Sequence, residues 1–283
     1  MSPRYDLHCH STASDGALSP TDLVQRAHAQ GVTALALTDH DTTQGLASAR
    51  ACADTLGLQL INGIELSVVW ENKSIHIVGL GIDPDYEPLA NAAEYIQHQR
   101  LVRAVKMSEK LAKKNIPGAF EAVQQAAGGG TITRSHFADF LVAQHHVDTQ
   151  QEAFDRYLSR GKAIYVPPVG LELQEAVKWI IKAGGIAVLA HPLRYQLTAS
   201  WMKRLLTTFK EAGGQGMEVV TGRNVADEIN RLASYASHFE LAGSVGSDFH
   251  SPTNQWLELG RLAPLPDNIQ PVWELAGFQA SAI

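Results

Sequence analysis

Ten side chains that can bind metal stand at or just beyond the ends of short apolar runs, and this placement constrains the fold of the 283-residue chain. The runs read RYDLHCH, TALALTDH, QLINGIEL, KSIHIVG, GIAVLAHP and LAGSVGSDFH. The ten side chains are His8, His10, Asp15, Asp39, His40, Glu65, His76, His191, Asp248 and His250. An open doubly wound sheet gathers its ligands from two or three strand ends, whereas the ends of five or six strands converge only in a closed barrel. The sequence therefore predicts a barrel with its site at the C-terminal face.

The chain order predicts that this barrel is interrupted once. Strands and helices alternate through residues 1–85 and again through 169–283, which gives about seven strands. The pattern of residues 86–168 predicts helices that are interrupted by a glycine run. This stretch contains ten lysines and arginines and eight acidic residues. We therefore predict an α/β fold: a distorted (β/α)7 TIM-like barrel of 1–85 and 169–283, with 86–168 as a helical insertion domain. Its small positive excess fits a lid that contacts anions, and it fits an ordinary solvated helical face equally well.

The spacing of the donors predicts a multinuclear metal centre. His8 and His10 are two residues apart, so on an extended segment both imidazoles face one way while Cys9 faces the other and packs. Asp248 and His250 flank an aromatic residue in the same manner. Imidazole and carboxylate together are the ligands of transition-metal hydrolases. Asp39 precedes His40 directly, which fits either a residue that orients this ligand or a capping residue.

Composition excludes several classes of protein. A net charge of −6 argues against tight binding to long duplex DNA, although small anionic substrates remain open. The two cysteines form no framework, no apolar run is long enough to span a membrane, and the first residues do not read as a secretory leader. We therefore expect a cytoplasmic protein with no membrane association and no binding to long duplex DNA.

The motifs resemble those of the polymerase and histidinol phosphatase (PHP) domain phosphoesterases, in the same order and over nearly the whole chain. The matching segments are His8-Cys9-His10, Ser14-Asp15-Gly16, Thr38-Asp39-His40, Gly63-Ile64-Glu65, the strand of His76, Ala190-His191-Pro192 and Gly246-Ser247-Asp248-Phe249-His250. The helical insertion is similar to that of a bacterial subgroup with 3′,5′-nucleotide bisphosphate phosphatases and enzymes that trim short RNA from the 5′ end.

The resemblance implies a centre of two or three divalent ions, often manganese and sometimes iron or zinc. By position, the first ion would take His8, His10, Glu65 and Asp248, the second Glu65, His76 and His191, and the third Asp15, His40 and His250. A hydroxide bridging two ions would attack phosphorus. The implied catalytic residues are Asp15, His40, Glu65, His191 and Asp248. No serine or cysteine stands in a nucleophile motif, so no covalent intermediate is expected.

A possible second anion site follows the glycine run. Arg134, Ser135 and His136 begin a helix there and would suit a phosphate group, although a capped helix start with a surface arginine explains the same residues. In the subgroup this stretch matches the site of the terminal phosphate, and Lys162 and Arg194 are further candidates for substrate binding. The resemblance therefore implies removal of the 3′-phosphate from nucleoside 3′,5′-bisphosphates, such as adenosine 3′,5′-bisphosphate, with trimming of short RNA from the 5′ end as a further activity. The expected partner is thus a small-molecule nucleotide or a short RNA. The alternatives are a histidinol phosphatase, a cyclic phosphodiesterase, or a nonenzymatic metal-binding or polymerase-associated module.

Overall fold

A computed structural model describes residues 3–276 and 278 and contains a nearly closed barrel. Its strands are β1 (Tyr5–Asp6), β2 (Ala34–Leu37), β3 (Gln59–Trp70), β4 (Lys73–Leu80), β5 (Leu171–Glu172), β6 (Ile186–Leu189), β7 (Gly216–Thr221) and β8 (Ala242–Gly246). Seven of them pair in the order β1-β2-β3-β4-β6-β7-β8, and the short β5 pairs with the outer end of β3. The first and last strands approach each other, since the Leu7 N–H donates to the Val245 carbonyl at 3.0 Å. The predicted seven-stranded barrel is confirmed.

One strand runs against the predicted direction. β4 is antiparallel to both β3 and β6, whereas the sequence pattern predicted strands that all end at the same face. The reason is the two-residue turn Glu71-Asn72, in which both residues have positive φ, 49° and 58°. Such a turn joins antiparallel neighbours. His76 consequently reaches the site from the N-terminal half of its strand rather than from the C-terminal end.

Five helices cover the barrel, and four more lie between β4 and β5. The helices are α1 (Pro20–Ala29), α2 (Leu46–Leu56), α3 (Glu87–Ala112), α4 (Ala119–Ala126), α5 (Arg134–Ala143), α6 (Gln150–Ala153), α7 (Leu173–Lys182), α8 (Ala199–Glu211) and α9 (Ala226–His238). α1 begins after an N-cap, since the Ser19 side chain accepts the Asp22 N–H and Pro20 occupies the first turn. None of the helices in the described chain combines the length and apolarity needed to cross a membrane.

The helices α3 to α6 pack partly on the barrel and partly on one another. The first half of α3, with Leu89 and Ile96, shares an apolar cluster with the barrel strands. The barrel interior is filled by small and branched residues, among them Leu7, Ile61 and Val188. The helices between β4 and β5 enclose a core of their own around Met107 and Phe137. These helices therefore form a packed body that can present one face to the C-terminal end of the barrel.

Candidate metal centre and adjoining cavity

The strand ends bring nine predicted ligands together around Glu65, which is fully buried in β3. One of its oxygens, Oε1, lies 3.0 Å from both His76 Nδ1 and His191 Nε2. The other, Oε2, lies 2.8 Å from His40 Nδ1 and 3.4 Å from His10 Nε2. A single carboxylate thus faces imidazoles from four different strands, which is the arrangement a bridging ligand requires.

The remaining donors lie on either side of this carboxylate. His8 Nε2 and His10 Nε2 are 3.0 Å apart, and Asp248 Oδ1 lies 3.4 Å and 3.1 Å from them, respectively. Asp15 Oδ1 lies 3.3 Å from His250 Nε2 and 3.9 Å from His40 Nε2. The structure therefore brings all nine predicted ligands together, in overlapping groups with their donor atoms within 4.8 Å of one another.

The donor set fits divalent metal. Asp15 Oδ1, Glu65 Oε2, His40 Nδ1 and His191 Nδ1 are buried atoms without a hydrogen-bond partner in the described chain. Buried polar atoms without partners are costly, and several of them aimed into one space indicate a missing ligand. Mixed nitrogen and oxygen donors suit first-row transition ions.

Burial and charge set the protonation of the ligands. Burial lowers the pKa of His10 to about 3, with repulsion from His250 and His40 adding to the effect. Burial likewise lowers the pKa of His76 to about 4, although Glu65 opposes the shift. Burial would raise the pKa of Glu65, but His40, His76 and His8 hold it well below its ordinary value. Neutral imidazoles around an ionised carboxylate are the forms that ligate metal.

His8 and His250 behave differently because they face several carboxylates. Burial lowers the pKa of His8, but Glu218, Glu65 and Asp248 together raise it well above its ordinary value. Burial also opposes protonation of His250, yet Asp248 and Asp15 raise its pKa to about 9. The excess negative charge that holds protons on these two rings is the charge that divalent cations would neutralise.

Two residues next to the ligands have supporting contacts. Asp39 accepts hydrogen bonds from the Ser11 N–H at 2.7 Å and from the hydroxyls of Ser11 and Ser14, both at 2.6 Å. It therefore fixes the loop between His10 and Asp15, whereas none of these hydrogen bonds reaches the ring of His40. Cys9 is fully buried, with its Sγ 3.2 Å from the Ala36 carbonyl, so its predicted packing role is confirmed.

A cavity of about 260 Å³ opens beside the ligands, and its far wall comes from the helices between β4 and β5. Of the predicted substrate residues, Arg134, Ser135 and Arg194 line it. Lys162 is exposed to solvent and is not among the lining residues. The ring of His136 turns back to its own helix start, where Nδ1 accepts the Thr133 N–H at 3.1 Å. The structure thus brings three of these five residues to the cavity.

Arg194 contacts the metal-binding side of the cavity. Its guanidinium pairs with Asp248 Oδ2, which leaves Oδ1 turned toward the two histidines that follow β1. The pairing therefore orients a ligand and at the same time places a cation at the cavity edge.

Sequence reasoning missed two further arginines, Arg100 and Arg103, which extend from α3 into the same cavity. Their spacing of three residues on a basic helix is the signal that could have found them. Arg100 pairs with buried Asp41 at 2.7 Å. Within the described chain, Arg103 and Arg134 pair with no carboxylate: Arg103 donates to the Val166 carbonyl, and Arg134 lies over the ring of Phe154 at 5.8 Å.

These unpaired guanidiniums make the far wall of the cavity strongly cationic. Burial, together with the neighbouring Arg134 and Arg100, lowers the pKa of Arg103 to about 9. Burial and Arg100 also lower the pKa of Arg134. Repulsion among half-buried cations is relieved by a bound anion, so this wall suits a phosphate group.

The strand ends of this barrel converge on histidines and carboxylates, and a cationic wall lies opposite them. This combination is that of a metal-dependent phosphoesterase. Within that class, the chain belongs to the PHP domain family, whose sequence model matches residues 6–176. The resemblance read from the motifs is thereby confirmed.

Individual relatives agree with this assignment along the whole chain. The chain is 46% identical to a 5′-3′ exoribonuclease of Haemophilus influenzae, covering 97% of this chain and 99% of the relative. It is 43% identical to a 3′,5′-nucleoside bisphosphate phosphatase of Chromobacterium violaceum, covering 95% and 94%. An amidohydrolase from Chromobacterium violaceum, solved with bound sulfate and no metal, has a TM-score of 0.90 and 42% identity, with 95% and 94% covered.

Proposed function

We propose that this protein removes the 3′-phosphate from nucleoside 3′,5′-bisphosphates and, as a related activity, trims short RNA from the 5′ end. The observation that carries the proposal is a single cavity with a cluster of metal ligands on one side. On its other side lie two guanidiniums that pair with no carboxylate among the described residues. A substrate with two phosphates complements both sides at once. The names of the relatives from Haemophilus influenzae and Chromobacterium violaceum support the same two substrates.

The residues proposed to hold the metal ions are His8, His10, Asp15, His40, Glu65, His76, His191, Asp248 and His250. When bound, divalent ions neutralise phosphoryl oxygens and make water nucleophilic near neutral pH. Manganese is the ion we propose, with iron and zinc as alternatives, because the donors combine imidazole with carboxylate. Glu65 is the proposed bridging ligand, since its two oxygens face different sets of histidines.

The far wall of the cavity is proposed to bind the phosphate that is not cleaved. Arg134 and Arg103 supply charge, and Ser135 at the start of α5 supplies a hydroxyl. Arg100 is neutralised by Asp41 and therefore shapes the wall more than it attracts the anion. The insertion, residues 86–168, acts as a lid in this proposal because its helices carry these groups to the mouth of the barrel.

The presence of metal ligands on one side of the cavity and arginines on the other distinguishes the proposed function from the alternatives. Histidinol phosphate has one phosphate and a cationic remainder, which the guanidinium wall would repel. A nonenzymatic metal-binding module would have no need for a second anion site facing the metal ligands. The bisphosphate is the substrate that uses both the metal ligands and the unneutralised arginines of the cavity.

A phosphatase panel tests the proposal. Phosphate release would be measured for adenosine 3′,5′-bisphosphate, adenosine 3′-monophosphate and histidinol phosphate, each with and without added manganese. We expect the bisphosphate to have the highest kcat/KM and every activity to depend on the metal. A higher kcat/KM for histidinol phosphate would overturn the substrate, and equal rates without metal in chelator-treated protein would overturn the metal dependence.

A further inference from the structure

Glu218 is a buried carboxylate outside the predicted ligand set that touches two of the ligands. It lies in β7 with 1% of its surface exposed. Its Oε1 is 2.6 Å from His8 Nδ1, and its Oε2 accepts the backbone N–H of His191 at 2.5 Å. One side chain of β7 therefore connects the segment that follows β1 with the segment that follows β6.

The local backbone is shaped around this carboxylate. The register between β7 and β8 shifts between Glu218 and Val220, so β7 contains an extra residue directly beside it. Bulges of this kind re-aim a side chain next to a site. Glu218 pairs with Ser244 of β8. Two residues further along β8, a Cβ on Gly246 would stand 3.0 Å from Glu218 Oε1 and 2.4 Å from the His8 Cβ. Only glycine leaves room for the contact between Glu218 and His8.

The contact with His8 determines which ring nitrogen faces the metal ligands. Since a carboxylate accepts a hydrogen, it favours a proton on Nδ1 and leaves the lone pair on Nε2. His8 Nε2 is the atom that points at His10 Nε2, 3.0 Å away, and at Glu65 Oε1, 3.4 Å away. Without Glu218, the ring could change tautomer or rotate away from this space.

The contact with His191 holds an unusual backbone. His191 has φ 28° and ψ 59°, in the left-handed region that is costly for a residue with a side chain. The hydrogen bond from its N–H to Glu218 Oε2 stabilises this conformation. In this position, the ring of His191 reaches Glu65 Oε1 through Nε2.

We propose that Glu218 is a positioning residue for metal binding, which fixes the ring of His8 and the backbone of His191 simultaneously. The inference rests on the proposed metal dependence. Glu218 should therefore affect the binding of only those ions that His8 and His191 ligate. Asp15, His40 and His250 make no contact with it among the hydrogen bonds and ion pairs of the described chain.

Manganese binding measured by electron paramagnetic resonance tests this role without relying on activity. Free and bound Mn²⁺ would be counted during titration of the wild type, Glu218→Gln and the matched control Glu211→Gln, which makes the same substitution at an exposed position of α8. We expect Glu218→Gln to weaken the sites that involve His8 and His191 by about tenfold to a hundredfold. At least one class of bound ion should keep its wild-type affinity, and the control should match the wild type throughout.

A kinetic measurement separates positioning from general support of the fold. At saturating manganese, Glu218→Gln should recover most of its kcat with an unchanged KM for the bisphosphate, while the manganese concentration at half activity rises. Should Glu218→Gln fail to fold, Glu218→Asp keeps the charge but shortens the side chain, and it should show the same weakened binding. Manganese affinity within about twofold of wild type in a folded variant, or an equal loss at every site, would overturn the inference. A wild type that binds no manganese would instead overturn the proposed function.

Discussion

Replacement of Arg134 by methionine removes a guanidinium from the cationic wall while keeping a long apolar stem. Arg134 lines the cavity at the start of α5, over the ring of Phe154. It pairs with no carboxylate in the part of the chain that the structure describes, and burial together with Arg100 lowers its pKa. The substitution removes a destabilising charge there, so the unfolding temperature of Arg134→Met should equal or exceed that of the wild type.

The effect on substrate should be opposite and selective. A charge-assisted hydrogen bond to phosphate contributes roughly 1.5 to 3 kcal/mol, so its loss should lower kcat/KM for the bisphosphate by about tenfold to a hundredfold or somewhat more. A nucleoside 3′-monophosphate lacks the group that Arg134 binds. Its already lower kcat/KM should therefore fall by less than about threefold.

Steady-state kinetics on both substrates, at saturating manganese, would measure the two losses. Arg160→Met is the matched control, since Arg160 is an exposed arginine of the same insertion and does not line the cavity. It should change neither kcat/KM. Equal losses on both substrates in Arg134→Met, or a fall in its unfolding temperature, would mean that Arg134 supports the fold or the metal ligands, and the reasoning from two anion sites would be refuted.

Three further predictions concern the metal centre. Glu65→Gln removes both a charge and a ligand shared among the histidines, so turnover should fall by roughly a thousandfold or more, whereas retention of over a tenth of the wild-type rate would show a structural role. Elemental analysis should find more than one equivalent of divalent metal after manganese loading, because nine convergent donors exceed what one ion can coordinate; one equivalent or less would contradict a multinuclear centre. Calorimetry should show that manganese at about a hundred times its dissociation constant stabilises the chelator-treated protein by about 2.7 kcal/mol for each ion bound, and an unchanged transition would contradict binding to the folded state.

The barrel and the ligand cluster were predictable because both depend on local sequence. Apolar runs identify strands, and a polar residue at the end of each run marks the place where the strands meet. The direction of β4 was not predictable in this way, because hydrophobic periodicity is the same in both directions. The turn at Glu71-Asn72 lacks the glycine that is typical of a two-residue hairpin turn.

The residues that were missed or misplaced depend on tertiary arrangement. Glu218 lies inside the apolar run GMEVV, where one polar residue gives no indication of a partner 210 positions away. Arg100 and Arg103 reach the cavity only because α3 packs across the mouth of the barrel. The hydrophobic periodicity of a helix does not predict the angle at which it packs. Lys162 lies in a loop near the end of the insertion, where nothing local fixes the direction of its side chain, and it faces solvent.

The most direct test of the central claim is the product formed from adenosine 3′,5′-bisphosphate by the manganese-loaded protein, followed by phosphorus NMR. The account places the cleaved phosphate at the metal ligands and the retained 5′-phosphate at the arginine wall. It therefore predicts one equivalent of inorganic phosphate and adenosine 5′-monophosphate as the sole nucleotide. Accumulation of adenosine 3′-monophosphate, or of adenosine with two equivalents of phosphate from the first turnovers, would contradict it.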